Sequence, residues 1–338
     1  MKLFILFILA VWSQPGFVCD QYMQRFARDC IIQDKYRELR AEFNRLDVNI
    51  EDIVEYKAMR FIDRDSWDDA KDKGNFAPSQ VYYPAPHVWN MWIEGVKLID
   101  KLSFFDFDLK NIHKIVMDQS LISRLAASKG TRPGLLRSHQ WPPGFTITCE
   151  DQKLTPYLFN LIFKKQYDLK SALNTPYVQI FSFRQCNQNY YEATLRYLRS
   201  SEVPYEFARW KSELKQAVLN YSFPPIKIIA SYQRRLVAIH PFGDGNGRVS
   251  RFFQDIMSKF YDLPFVPAGD LTDDVLTFED QYINNTYEAM ESMLEFLSDC
   301  LNEYKADPNQ VSRECRVISK LPSSNYFPAR VWNFKGYD

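Results

Sequence analysis

Apolar residues recur at helical spacing along most of this chain. Met23, Phe26, Cys30, Tyr36, Leu39, Phe43 and Leu46 mark one face of a helix over about 20–46, and a second helical pattern follows over 49–62. Residues 63–86, rich in Asp, Lys, Pro and Gly, read as a connector. Helical spacing resumes over 88–100 and again over 109–119, where Ile112, Ile115 and Val116 share a face. The texture then changes: 130–144 holds three prolines and three glycines, and Phe145 to Cys149 alternates as a short strand does. Residues 152–219 read as mostly helical, with a strand pattern at 177–183. Ile229, Tyr232, Leu236 and Ile239 define a clear helix over 226–239, stopped by Pro241. Another clear helix begins near Gly247 and carries Val249, Phe252, Phe253, Ile256, Met257 and Phe260. A long one covers 272–304, and the tail after Ala306 has no regular pattern. The expected fold is mainly α, with one small β element near 138–150.

The first residues stand apart from that pattern. Lys2 precedes an uncharged apolar run, Leu3 to Trp12, followed by Ser13-Gln14-Pro15-Gly16. This is the layout of a secretory signal peptide within residues 1–19, with a cut near Ser13. The run is short for a membrane span, so membrane contact is expected only through this segment if it stays uncleaved. The expected setting is therefore exported: secreted, lumenal or periplasmic. The six cysteines, Cys19, Cys30, Cys149, Cys186, Cys300 and Cys315, contain no C-x-x-C and permit up to three bridges, with the pairing open. Two sequons, Asn220-Tyr221-Ser222 and Asn284-Asn285-Thr286, would matter in a eukaryotic lumen.

Composition narrows the partners. At 338 residues the chain can bury a large core, and 46% hydrophobic with 25% charged residues is ordinary for globular proteins. The 42 basic and 42 acidic residues cancel, which leaves no whole-chain electrostatic reason to bind nucleic acid. Aromatic content is high at 16%, as large filled cores require.

The candidate chemistry lies at the joint between the two clear helices, in His240-Pro241-Phe242-Gly243-Asp244-Gly245-Asn246-Gly247-Arg248-Val249-Ser250-Arg251. Glycines alternating with polar residues let successive backbone N–H groups turn inward, which makes an anion nest. The nest opens onto a helix N-terminus, whose dipole also favours phosphate. Arg248 and Arg251 sit on the first turn of that helix, three residues apart, where guanidinium–phosphate contacts can form. Asp244 is a hard oxygen ligand of the kind Mg²⁺ uses between phosphates. His240 is the nearby side chain that titrates near neutrality. Each feature alone also suits a plain turn between helices; together they point to phosphoryl or nucleotidyl transfer from a nucleotide. The loop is neither a Walker A motif nor a dinucleotide fingerprint, because it lacks Gly-Lys-Ser/Thr and follows a helix.

His240 to Arg251 fits the pattern H-x-F-x-D/E-G-N-G-R-x-x-R at every defined position, so the chain resembles the Fic family. Asn111-Ile112-His113-Lys114-Ile115-Val116-Met117 and Pro133-Gly134-Leu135-Leu136-Arg137 are similar to the helix and turn that precede the family's flap. The resemblance implies a Fic-type helical core over 88–304 with a small β-hairpin flap and a helical insertion at about 152–219. A helical region over 20–87 would precede it, and a tail over 305–338 would follow. It implies an enzyme that transfers AMP from Mg-ATP to a Ser, Thr or Tyr hydroxyl of a target protein. His240 would be the general base and Asp244 the Mg²⁺ ligand. Gly243, Gly245, Asn246 and Gly247 would cradle phosphates, Asn246 and Arg248 would touch them by side chain, and Arg251 would reach the γ-phosphate. Phe242 would fix the loop. The segment Ser138 to Cys149 resembles the flap, which in the family aligns target backbone by strand addition, although Pro142 and Pro143 remove donors there. Asn90-Met91-Trp92-Ile93-Glu94-Gly95 is a near match to the family's inhibitory motif, which would make Glu94 a partner of Arg251.

Two other readings stand beside this one. The transferred group could be UMP, phosphocholine or phosphoryl; phosphocholine transferases of the family carry Ala where Gly245 stands. Alternatively, the site could be vestigial and the protein a binding module, since ATP is scarce outside cells.

Overall fold

A computed structural model describes residues 26–53, 56, 108–117, 132–138, 144–160, 179–220, 223–265, 277, 279–312 and 314–317. In chain order the elements are α1 (Ala27–Arg45), a 3-10 turn (Ile50–Asp52), α2 (Leu109–Met117), β1 (Gly144–Ile147), β2 (Gln179–Gln185) and β3 (Tyr191–Arg196). The helices α3 (Val203–Leu219), α4 (Pro225–Ile239), α5 (Asn246–Phe260) and α6 (Glu279–Ala306) follow. The architecture is mainly α, with a small three-stranded antiparallel sheet in the order β1-β3-β2. Expectations on 1–25, on the connector and helix within 63–100, and on Glu94, Pro142 and Pro143 fall outside the described residues.

α4 and α5 lie at the centre, buried on most sides. α4 buries Ile226, Ile228, Ile229, Leu236, Val237 and Ile239, and α5 buries Val249, Phe252, Phe253, Ile256 and Met257. Their apolar faces are covered by α2, α3 and α6. Trp210 of α3 is fully buried, meets Phe253 edge-on at 5.2 Å and donates from Nε1 to the Tyr232 carbonyl at 2.9 Å.

The N-terminal helix belongs to this same core: Ile32, Tyr36, Leu39 and Phe43 pack in one cluster with α4, α5 and α6. It also grips the far ends of both central helices. Asp29 accepts from Ile226 N at 2.8 Å, satisfying an amide of the first turn of α4. Arg37 and Arg40 each reach Asp262, just past the end of α5, at 2.7 Å. Burial raises the Asp29 pKa, opposed by the Ile226 amide and the Tyr287 hydroxyl that donate to it.

Two expectations need correction. The segment 152–219 is not a helical insertion: it contains the hairpin β2–β3 as well as α3, and β1 pairs with β3 along Gly144–Arg196 to Ile147–Ala193. Glu192, Ala193, Leu195 and Arg196 are good helix formers, but the turn chemistry wins. Asn187 Oδ1 accepts from the backbone of Asn189 and Tyr190 at 2.8 and 3.0 Å, closing the hairpin. At its start the helix expected over 49–62 is a 3-10 turn, with Ile53 in an isolated bridge with Val317; Tyr56 is helical, and the other residues of that stretch lie outside those described. Gly144 is required where it stands, because a Cβ there would come within 2.2 Å of the Leu195 carbonyl oxygen.

Disulfides join Cys149 to Cys186, tying the outer strands β1 and β2 at one end of the sheet, and Cys300 to Cys315. Cys30 is disulfide-bonded as well. Among the described residues no helix is long and apolar enough to cross a membrane. The second sequon lies within α6, where Asn284 donates to Glu288 at 2.7 Å and accepts from Arg28 at 3.1 Å.

Candidate active site

The loop between α4 and α5 is held from three sides, and each hold starts from a residue type that the local geometry needs. α4 ends at His240, whose φ of 49° and ψ of 60° are left-handed. That is an uncommon state for a non-glycine residue, and more so immediately before a proline. It persists because its surroundings fix it. Arg137 donates from Nε to the His240 carbonyl at 2.6 Å, and its own N–H donates to the Pro241 carbonyl at 2.9 Å. The same guanidinium donates to the Ser200 hydroxyl at 3.1 Å and to the Leu198 carbonyl. Arg137 is almost wholly buried, and burial lowers its pKa to about 10.

The second hold comes from α2. His113 lies on the buried face with Leu109, Ile112 and Val116, and is itself fully buried. Its Nδ1 accepts from Gly134 N at 2.9 Å, which requires the proton on Nε2, and Nε2 lies 3.1 Å from the Asp244 carbonyl oxygen. His113 therefore bridges the Pro133-Gly134 turn to the loop as a neutral imidazole. Its pKa is lowered to about 4, chiefly by burial, with the Asp244 carbonyl pulling the other way. Its ring stacks on Phe242 at 4.0 Å and 6°, and Phe242 is fully buried, as its loop-fixing role requires.

The third hold is internal. Asn246 donates from Nδ2 to the Phe242 carbonyl and accepts at Oδ1 from Phe242 N, both at 2.9 Å. The side-chain amide thus pins Phe242 with Oδ1 and one N–H of Nδ2, while the Asn246 backbone belongs to the nest. Gly245 caps α5 at φ 74°, and a Cβ there would meet Val116 Cγ1 at 3.0 Å and Met117 Sδ at 3.2 Å. Glycine here answers to backbone conformation and packing, so its presence does not discriminate between donors.

These holds leave a specific surface. Gly243, Asp244 and Gly247 are partly exposed, whereas Asn246, Arg248 and Arg251 are buried. No side chain caps α5, so its first amides retain the anion-binding character of a helix start. Arg248 Nη2 lies 3.5 Å from Asp244 Oδ1, and Gly245 N donates to the same oxygen at 2.6 Å. The Arg248 and Arg251 residues are only 6% and 7% exposed, a setting in which a charge contact is screened weakly.

His240 stands at the edge of this surface. Its ring stacks on Tyr197 at 4.0 Å and 15°, and its Nδ1 is shut off from water without a hydrogen-bond partner. Burial first, then the neighbouring Arg137 charge, lower its pKa to about 3, against the Val237 carbonyl and Asp244. The imidazole is neutral at physiological pH. Arg137, Tyr197 and the bridging role of His113 were not predicted from the sequence. The one available signal was His113 on an otherwise apolar helix face, where a buried imidazole has to find two partners.

The Fic/DOC family model matches residues 106–258, which span α2, the sheet, α3, α4 and most of α5. Residues 106–258 are similar to the Fic/DOC family. None of the curated proteins matches the chain. Among solved structures, a Fic-domain-containing signalling protein from Bacteroides thetaiotaomicron is similar at 11% identity and a TM-score of 0.43, covering 82% of this chain and 91% of its own. A Fic family protein from Desulfovibrio desulfuricans is similar at 14% identity and a TM-score of 0.29, covering 90% of this chain and 73% of its own.

Proposed function

We propose that this chain is a protein adenylyltransferase, moving AMP from Mg-ATP to a hydroxyl side chain of a target protein. The observation that carries the reading is one juxtaposition: a neutral, partly exposed His240 beside a helix start without a side-chain cap, with two buried arginines in its first two turns. In the transfer, the target hydroxyl oxygen bonds to the α-phosphorus, the bond from that phosphorus to the β-phosphate bridging oxygen breaks, and pyrophosphate leaves. The hydroxyl proton goes to His240. The amides of Gly243, Asn246 and Gly247, with Arg248 and Arg251, hold the phosphates, while the Gly245 amide holds Asp244.

The residues present suit Mg²⁺ as a nucleotide-bridged ion. Asp244 is a single, partly exposed carboxylate at the loop's mouth, and Mg²⁺ typically takes one or two carboxylates and completes its shell with phosphates and water. Bound there, it would neutralise charge on the phosphates. A resting pKa of about 3 makes His240 a weak base, but the negative charge of a bound nucleotide raises the pKa of a neighbouring imidazole. Substrate thus brings its own base closer to working strength.

The disulfides Cys149–Cys186 and Cys300–Cys315 support an exported setting, since such bonds persist in oxidising compartments. A lysate incubated with ATP labelled at the α- or the γ-phosphate tests the reading. Adenylyl transfer puts only the α-label on protein; γ-label on protein makes the enzyme a kinase, and neither label favours a binding module.

A further inference from the structure

A catalytic imidazole is usually oriented by a hydrogen bond at its second nitrogen. At His240 the Val237 carbonyl acts on the ring from the last turn of α4, but Nδ1 makes no hydrogen bond of good geometry. The face of the ring supplies a further hold. Tyr197 covers it at a centroid distance of 4.0 Å, nearly parallel at 15°.

Tyr197 is itself fixed from two directions. It is 4% exposed, directly follows β3, and packs in the second core cluster with Ile147, Leu195 and Val237 while tilting against Phe145 of β1 at 5.6 Å. Its neighbour Leu198 accepts from Arg137, the guanidinium that also holds the His240 carbonyl. One buried arginine therefore keeps the two stacked residues in register through their backbones, and the sheet holds the tyrosine ring from the other side.

We propose that Tyr197 is a positioning residue for the His240 imidazole: its ring face sets the plane in which His240 meets the incoming hydroxyl. The proposal rests on His240 acting as the base. It assigns the hairpin β2–β3 and β1 a second task, since the sheet that carries Tyr197 thereby sets the base.

Two variants separate the ring from its hydroxyl: Tyr197→Phe keeps the aromatic face, and Tyr197→Leu removes it. Self-modification with α-labelled ATP should show kcat falling roughly 10- to 100-fold in Tyr197→Leu, the scale on which small misplacements cost rate. KM for Mg-ATP should stay within about twofold, since the phosphate loop is untouched, and Tyr197→Phe should restore the rate. The second readout needs no activity. The His240 ring protons, one set among four histidines, should be displaced by the overlying ring in wild type and Tyr197→Phe, and return towards ordinary positions in Tyr197→Leu. Equal losses in both variants, or a loss confined to KM, would overturn the proposal. An unmoved His240 resonance in Tyr197→Leu would overturn it whatever the activity. Wild type that modifies nothing, with the resonance change intact, would sink the adenylyl-transfer reading and leave the ring placement standing.

Discussion

Replacing His113 with Leu tests how the loop is built. The variant keeps an apolar side chain of similar bulk but strands two buried backbone groups: Gly134 N–H, which donates to Nδ1 at 2.9 Å, and the Asp244 carbonyl, 3.1 Å from Nε2. Each such orphan costs about 1–3 kcal/mol. The stack on Phe242 at 4.0 Å adds about 0.5–1.5 kcal/mol, and the greasier leucine returns part of the total. The net expectation is a loss of roughly 3–5 kcal/mol. Urea unfolding at neutral pH measures it, with Ile31→Ala as the control. Ile31 is 64% exposed on α1, and a surface change of that kind should stay within about 0.5 kcal/mol. A loss below about 1 kcal/mol in His113→Leu would mean that the bridge carries little and that Asp244 is placed by other contacts.

Proton-detected titration of His240 should find it neutral from pH 8 down to about pH 4, because its pKa is lowered to about 3, and addition of Mg-ADP should raise that value; titration near 6.5 in the free protein would refute the burial argument. His113 and His240 are both held below the unfolded value of about 6.5, so the unfolded chain takes up protons first. Stability should therefore fall as pH drops from about 6.5 through 4 to 3, read as a falling urea midpoint, with the His113 share absent from His113→Leu. Asn246→Ala removes both amide bonds to Phe242 and should cost about 2–4 kcal/mol in the same unfolding assay; a neutral outcome would mean that the clamp carries little.

The helices α4 and α5 were legible to within a residue because their apolar positions repeat at three and four, and Pro241 marks the break. The glycine-rich joint was legible as a turn into a helix start for a similar reason, since backbone conformation there follows from local sequence. The strand pattern at 177–183 anticipated β2, but β3 was not legible, because Glu192, Ala193 and Leu195 carry helix propensity and the deciding Asx turn at Asn187 is one residue's hydrogen bonding. Nor could the supports of the loop be read. Arg137 meets His240 across 103 positions, and His113 meets Asp244 across 131, and no local period encodes such contacts. Asn246 shows the same limit at short range: its residue type suits a phosphate contact and an internal clamp alike, and the structure shows the clamp on Phe242.

The central claim is that His240 takes a proton during transfer and does not hold the nucleotide. His240→Ala leaves Asp244, Arg248 and Arg251 in place, so calorimetric affinity for Mg-ATP should change by less than about threefold while transfer of α-label to protein falls by roughly 10²- to 10⁴-fold. Transfer at the wild-type rate in His240→Ala, or a loss explained wholly by weaker nucleotide binding, would contradict the account.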